Sequence, residues 1–222
     1  MLLECKNVYF YKKPNQAILE NINFSLDYKD TIIIYSGVNS GSTLLLKIID
    51  NVVENVKGEI LFEGKNILNF DRNEKLYYTY NVSFVFEREG LFYSMNIIEN
   101  ILFPLKKYKT YDENLLNELI KDFQLENILY KEPSEIDDIE TMLVNIVRAI
   151  IVKPKLILYD EMDGGMDKEM VKDVLKILEK YQQKIGFSQI ITTVKNYPYE
   201  PYKKYKSFLL LNKRLEKLNA NI

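Results

Sequence analysis

The feature that most constrains this chain is a short, wholly apolar run that leads through a glycine-containing loop into a helical pattern. Residues 32–35 are IIIY, and an unbroken apolar run of this length predicts a β-strand covered on both faces. The loop at 36–43 is SGVNSGST, and residues 43–50 repeat apolar side chains at helical spacing. This strand–loop–helix order is typical of α/β domains.

The same alternation of strand and helix patterns continues along the chain. Further strands are predicted at 3–11, 22–26, 58–62, 82–86, 156–160, 189–194 and 207–211, and helices at 114–123 and 170–181. Between 87 and 145 the pattern is mostly helical. We therefore expect one α/β domain with a mainly parallel sheet and a helical insertion in mid-sequence.

Composition excludes several classes of function. The 222 residues contain no histidine, which rules out histidine metal sites and Ser–His or Cys–His nucleophilic pairs. Lys plus Arg is 30 and Asp plus Glu is 32, and a net charge of −2 argues against a nucleic-acid binder. Cys5 is the only cysteine, so no internal disulfide can form.

Targeting patterns point to the cytoplasm. No run approaches the 18 or so apolar residues that a membrane-spanning helix needs, and the first residues lack the pattern of a secretory signal. We therefore expect a cytoplasmic protein whose membrane contact comes only through a partner.

The loop at 36–43 has the length of the phosphate-binding pattern G-x-x-x-x-G-K-[ST]. Gly41 and Thr43 match the pattern, whereas Ser36 replaces its first glycine and Ser42 replaces its lysine. In that pattern, backbone N–H groups bind phosphate, the lysine adds positive charge at the outer phosphates, and the hydroxyl coordinates Mg²⁺. By itself the segment is equally compatible with a plain Gly–Ser connection.

A second pattern lies about a hundred residues later. Residues 156–161 are LILYDE, an apolar strand that ends in Asp160 and Glu161. Two carboxylates at this point can place one on Mg²⁺ and the other on an attacking water. An isolated pattern of this kind is equally compatible with a solvated acidic turn, but the two patterns in this order are much more specific than either alone.

With both patterns in place, the chain resembles the ATP-binding subunit of ABC transporters, most of all that of MCE-type (Mla-like) lipid transporters. The resemblance extends over nearly the whole chain. It is carried by residues 43–67, by 84–105 with its FVFEREGLFYSMNIIENILFPL sequence, and by 133–150.

The resemblance implies a P-loop ABC-ATPase fold, which is a mainly parallel sheet with an antiparallel β subdomain and a helical subdomain insertion. Residues 1–222 then form a single nucleotide-binding domain. Within it, 1–86 and 146–222 correspond to the core with the β subdomain, and 87–145 to the Q-loop and helical subdomain.

Several side chains that this family uses with nucleotide are kept. The resemblance places Tyr11 against the adenine ring, Thr43 and Asp160 at Mg²⁺, and Glu161 at the catalytic carboxylate. Asp167 stands at the D-loop aspartate. Mg-ATP is therefore the cofactor that the family implies.

Four nucleotide elements depart from the family pattern. Ser42 replaces the P-loop lysine, Glu87 replaces the Q-loop glutamine, and Lys195 replaces the switch histidine. The signature segment at 136–140 is IDDIE, and its serine and glycines are replaced by Asp137, Asp138 and Ile139.

The signature change has the largest expected consequence. In this family the signature of one subunit closes over the γ-phosphate held by the other, so Asp137 and Asp138 would bring negative charge to a polyanion. At about 5 Å and an effective dielectric of about 20, each pair costs on the order of 3 kcal/mol. We therefore expect weak or absent ATP binding and a pseudo-ATPase subunit on the inner face of the cell membrane. Its expected partners are an integral-membrane permease and a second ABC subunit, in a homodimer or a heterodimer.

Two alternatives stay open at this point. The chain is also compatible with an active ATPase in which Lys47 or Lys195 supplies the missing charge. It is further compatible with a scaffold or regulatory protein that reuses the fold outside transport.

Overall fold

A computed structural model of the chain describes residues 1–86, 90–107 and 112–218. In this part of the chain the strands are β1 (Leu3–Lys13), β2 (Gln16–Leu26), β3 (Thr31–Ser36), β4 (Lys57–Phe62), β5 (Lys65–Asn66), β6 (Val82–Val85), β7 (Leu156–Tyr159), β8 (Ser188–Thr193), β9 (Lys206–Leu211) and β10 (Arg214–Leu218). The helices are α1 (Ser42–Ile49), α2 (Arg72–Asn81), α3 (Ile97–Leu102), α4 (Glu113–Asp122), α5 (Asp138–Ile150) and α6 (Lys168–Ile185).

The strands form two sheets. The larger sheet has the order β10-β9-β3-β8-β7-β6, in which β9 to β6 are parallel and β10 pairs antiparallel with β9. The smaller sheet is antiparallel in the order β2-β1-β4-β5. Because β3, β8 and β7 are parallel neighbours, their carboxyl ends meet at one edge, where ligands commonly bind in open α/β sheets.

A hydrophobic core covers each face of the larger sheet. Along β3, Ile32 and Ile34 pack against α1 and the smaller sheet, whereas Ile33 and Tyr35 pack on the other face with α3 to α6. Successive side chains of a strand point to opposite faces, so both faces of β3 are buried. The core on the second face also includes residues from α3, α4 and α5, so the helical insertion packs directly onto the sheet.

This architecture confirms the predicted fold class. The predicted strands and the helices predicted at 114–123 and 170–181 are present, most of them within a few residues of their expected bounds. The exception is β2, which begins at Gln16, six residues before the predicted start at 22. The patterns missed α2, because only Tyr78 of that helix is buried and no apolar stripe marks it. Its N-terminus nevertheless has a capping box formed by Asp71 and Glu74, a signal that the sequence contains.

Prediction also missed β10, which is mostly exposed and forms the edge of the larger sheet. Among the described residues, no helix combines the length and the apolar character needed to cross a membrane.

Candidate nucleotide site

The two sequence patterns meet at the carboxyl edge of the larger sheet. The Thr43 hydroxyl donates a hydrogen bond to Oδ1 of Asp160 at 3.0 Å, across 117 residues of sequence. The Thr192 hydroxyl lies 3.2 Å from the same oxygen. Asp160 is buried, and it directly follows β7. The first turn of α1 is thereby joined to the ends of β7 and β8.

The P-loop connects β3 to α1 by a left-handed residue. Gly41 precedes α1 with a φ of 100°, a conformation that glycine adopts without steric cost. A Cβ atom there would lie 3.3 Å from Cδ2 of Leu19, so the loop also runs close to β2. No side chain caps the start of α1, which leaves its first N–H groups available to an anion.

The two serines that depart from the phosphate-binding pattern contact each other. Ser36 ends β3, Ser42 begins α1, and the Ser36 hydroxyl donates to Oγ of Ser42 at 3.0 Å. Both residues are buried, with 6% and 5% of their surfaces exposed. The lysine position of the phosphate-binding pattern is therefore filled by a short, neutral side chain that already accepts a hydrogen bond.

Glu161 follows Asp160 in a left-handed conformation with a φ of 49°. Non-glycine residues seldom adopt this conformation, and those that do cluster at functional sites. Its backbone N–H donates to the Thr192 hydroxyl at 3.0 Å. Thr192 therefore fixes the backbone that presents both carboxylates, a role that the sequence patterns did not indicate.

A second threonine fixes the loop after β7. The Thr193 hydroxyl donates to Oδ2 of Asp163 at 2.7 Å and accepts from the backbone N–H of Lys195 at 3.1 Å. Asp163 is 1% exposed, and burial raises the pKa of its carboxyl, whereas the Thr193 bond and the charge of Lys195 lower it. Lys195 therefore lies beside a buried carboxyl, just beyond the end of β8.

The signature segment begins α5. Asp137 is the N-cap, and its Oδ1 accepts from the N–H of Glu140 at 2.7 Å, while Oε2 of Glu140 accepts from the N–H of Asp137 at 3.0 Å. Asp138 is exposed, and Ile139 approaches Gly165 in the loop after β7. Three carboxylates therefore surround the start of α5, and reciprocal capping holds two of them.

The other residues that the sequence predicts for the site lie on other elements than the P-loop and the loop after β7. Tyr11 is on β1, where it stacks on Tyr9 with a centroid distance of 6.5 Å, and Nζ of Lys57 lies 5.5 Å from its ring centroid. Asp167 caps α6, because its Oδ1 accepts from the N–H of Met170 at 2.9 Å. Glu87 lies outside the described residues.

The oxygen atoms of Thr43 and Asp160 fit a magnesium ion. Mg²⁺ prefers oxygen ligands and is usually bound by one or two carboxylates together with substrate phosphates, so two protein oxygens at this edge suffice. In the described part of the chain, no larger group of acidic or cysteine side chains is arranged to hold a metal. The uncapped N-terminus of α1 fits the accompanying phosphate.

Comparisons with known proteins identify the family. Residues 19–163 match the family model of the ABC transporter. The lipoprotein-releasing system ATP-binding protein LolD of Buchnera aphidicola is 30% identical over 200 residues, which cover 87% of this chain and 88% of LolD. The spermidine/putrescine import ATP-binding protein PotA of Borreliella afzelii is 29% identical over 196 residues. That match covers 86% of this chain and 55% of PotA, so the chain spans about half the length of this relative.

Solved structures give the same fold. The cbiO1 structure from Clostridium perfringens, part of an ABC transporter complex, has a TM-score of 0.84 at 20% identity, over 99% of this chain and 88% of that one. A dimeric bacterial ABC transporter cassette also has a TM-score of 0.84, at 22% identity, over 98% and 99% of the two chains. The fold and the site define a P-loop nucleotide-binding cassette. The chain belongs to the ABC transporter family, whose cassettes bind Mg-ATP.

Proposed function

We propose that this chain is a transporter subunit that has lost most or all of its ability to hydrolyse ATP. The observation that carries the proposal is the charge at two helix starts. The first turn of α1 has neutral Ser42 where the family has lysine. At the start of α5, Asp137 and Asp138 stand where the family has a serine and a glycine, and Glu140 adds a third carboxylate.

At α1, the lost lysine has no substitute on the same helix. A lysine contact to phosphate is a charge-assisted hydrogen bond of about 1.5–3 kcal/mol. Lys47 is exposed in the last turn of α1, and five residues at 1.5 Å each place it roughly 7 Å along the axis from Ser42, away from the phosphate end. Lys47 is therefore a poor replacement for the missing cation.

At α5, the carboxylates oppose the closed arrangement that hydrolysis requires. The backbone N–H of Glu140 bonds to Asp137, so it is not available to a phosphate. Asp138 is exposed beside it and adds a second negative charge. A homodimer would then have the neutral P-loop and the acidic signature at both sites, and a heterodimer with an intact subunit would have one of these changes at each site.

The remaining assignments follow from family membership. We propose that the partners are an integral-membrane permease and a second ABC subunit, and that the protein lies on the cytoplasmic face of the membrane. We also assign 1–86 and 146–222 to the core with the β subdomain and 87–145 to the Q-loop and helical subdomain. Helix α5 crosses the second of these boundaries.

We propose that the cargo is a phospholipid, as in MCE/Mla-type transport. The support is the resemblance of residues 84–105 to that branch, together with the LolD relatives, whose name states lipoprotein release. Other relatives have names that state spermidine/putrescine import or glutamine transport, so cargo requires a direct test. Purifying the chain with its membrane partner, followed by mass spectrometry of bound lipid, provides that test.

The test of the main proposal is phosphate release by the chain purified with its permease. We expect release at background level for the natural protein and for Glu161→Gln, with LolD and its permease as the active control. Release at ordinary transporter rates that Glu161→Gln abolishes would contradict the proposal. Recovery of a soluble monomer without any membrane partner would instead favour a scaffold role.

One observation favours an active enzyme as the second candidate. Lys195 follows β8, which lies between β3 and β7 in the larger sheet, and its charge acts on the buried Asp163 carboxyl in the loop after β7. A cation is therefore present at the edge that also bears Asp160. If Lys195 supplies the missing charge, phosphate release is measurable and Lys195→Ala abolishes it. Lys47→Ala is the matched control and would leave it unchanged.

A further inference from the structure

We propose that the bonded pair Ser36 and Ser42 prevents a lysine side chain at position 42 from being accommodated in the P-loop. Triphosphate binding is then expected to recover only when both positions change together. The inference rests on the proposed function, because it explains how the cassette keeps its P-loop fold without the lysine. It goes beyond that function by making Ser36 a determinant of nucleotide affinity.

The geometry places the two serines at opposite ends of one loop. Ser36 is the last residue of β3 and Ser42 is the first residue of α1, with Gly41 and the rest of the loop between them. Their oxygens lie 3.0 Å apart, and both residues are more than nine-tenths buried. The bond therefore joins the end of the strand to the start of the helix, and it satisfies the Ser36 donor and one acceptor position of Ser42 in a buried site.

A lysine at position 42 cannot use this arrangement. Its charged end requires water or a phosphate, so its long side chain must leave the small buried space that the Ser42 hydroxyl occupies. The Ser36 hydroxyl then loses its partner while its Cβ and oxygen still occupy the space beneath the loop. Part of the gain from the new charge is consequently lost to an unpaired buried group.

A glycine at position 36 removes both obstacles but adds no charge. Without the Ser36 side chain the space is open, yet Ser42 is left without its donor and nothing new binds phosphate. Each single change is therefore expected to alter affinity little. The two changes together remove the steric and polar conflict and provide the cation. The gain in affinity of the double variant should therefore exceed the product of the two single fold-changes.

The experiment measures the dissociation constant for Mg-ATP by competition with a fluorescent ATP analogue, using the full chain. Four proteins are compared: the natural protein, Ser36→Gly, Ser42→Lys and the double variant. We expect each single change to alter affinity by less than about threefold. If the two changes acted independently, the fold-change in affinity of the double variant would equal the product of the two single fold-changes. We expect the double variant to bind Mg-ATP at least about tenfold more tightly than that product predicts, and a coupling of this size is within the range for residues in contact.

Val38→Lys is the matched control, alone and with Ser36→Gly. Val38 is on the same loop but 79% exposed, so a lysine there adds equal charge without displacing Ser42. Its effect should be the same with serine or glycine at position 36. Circular dichroism and thermal unfolding establish that every variant is folded.

Three results would overturn the inference. They are single effects that multiply to the double effect, a full gain from Ser42→Lys alone, and a folded double variant that does not bind Mg-ATP. None of them depends on turnover. The proposed function is judged separately, from phosphate release by the natural protein with its permease.

Discussion

The carboxyl edge of β7 and the starts of α1 and α5 belong to one candidate site, yet they differ in what their side chains do for the fold. At the edge, Asp160 accepts the Thr43 hydroxyl bond and lies within 3.2 Å of the Thr192 hydroxyl, and Asp163 bonds to Thr193. These groups join segments that are distant in sequence. At the helix starts, the Ser36–Ser42 bond and the Asp137–Glu140 cap are local, across six and three residues.

The difference teaches that retention of a carboxylate is not by itself a sign of catalysis. Asp160 and Asp163 are buried polar groups whose removal would take away the acceptors of the Thr43 and Thr193 hydroxyls, so stability alone gives a reason to keep them. Ser42 and Asp137 make only local hydrogen bonds of this kind. A substitution at either position should therefore cost little stability if the new side chain can make a similar local bond. The comparison yields three predictions on stability, from the largest expected effect to the smallest.

Asp160→Ala should have the largest effect. It removes the buried acceptor of the Thr43 hydroxyl and a near neighbour of Thr192, so we expect the free energy of unfolding to fall by about 2–3 kcal/mol. Urea denaturation followed by circular dichroism measures the change. Asp138→Ala, which removes an exposed carboxylate, is the control and should stay within about 0.5 kcal/mol. Equal losses of stability for the two variants would contradict the view that Asp160 stabilises the fold through its buried contacts.

Asp50→Asn should have an intermediate effect that depends on pH. Asp50 follows α1, and burial raises the pKa of its carboxyl from 3.8 to about 7. A raised pKa gives stability that is present below about pH 4 and is lost as pH rises to about 7. We expect Asp50→Asn to remove this slope and to be more stable than the natural protein at pH 8 by about 1–2 kcal/mol, because a half-buried carboxylate keeps part of its hydration.

The measurement is the free energy of unfolding from pH 4 to pH 8 for both proteins. Asp173→Asn is the control, since this carboxylate is 68% exposed on α6. If the free energy of unfolding changed with pH in the same way for Asp50→Asn and for the natural protein, the Asp50 carboxyl would not titrate between pH 4 and pH 8, and the prediction would be wrong.

Asp137 should give the smallest effect. Asp137→Ala removes the N-cap of α5 and should lower the free energy of unfolding by about 1 kcal/mol. Asp137→Ser keeps a capping oxygen, so it should change stability by less than about 0.5 kcal/mol. A loss as large for serine as for alanine would show that the carboxylate has a role beyond capping.

The sequence predicted the elements whose signal is local. Apolar runs located β3 and β7, whose central residues are apolar because both faces of each strand are buried. Strand β8 was located by its β-branched residues, although it also buries polar side chains. The order of the two patterns predicted that residues 36–43 and Asp160 share one site, and the Thr43–Asp160 bond brings the two segments together. The assignment of 136–140 as the signature segment rests on the family resemblance and stays a prediction. The weak signals were missed, namely α2, which buries only Tyr78, and the edge strand β10.

Contacts between distant residues could not be predicted in the same way. Nothing in the spacing of Thr192 and Thr193 shows that one approaches Asp160 and the other bonds to Asp163, because those pairs depend on the register of β7 and β8. The bond between Ser36 and Ser42 was also hidden. Each serine alone is an ordinary loop residue, and only the path of the loop brings their hydroxyls together.

By itself, the sequence determined the fold class, the position of the phosphate-binding pattern, the serine at that pattern's lysine position and the absence of histidine, since these follow from residue identity and local periodicity. Tertiary structure decided which retained side chains support one another and how the substituted ones are satisfied. The physical reason is that buried hydroxyls and carboxylates must find partners, and which partners they find depends on how the strands and loops pack.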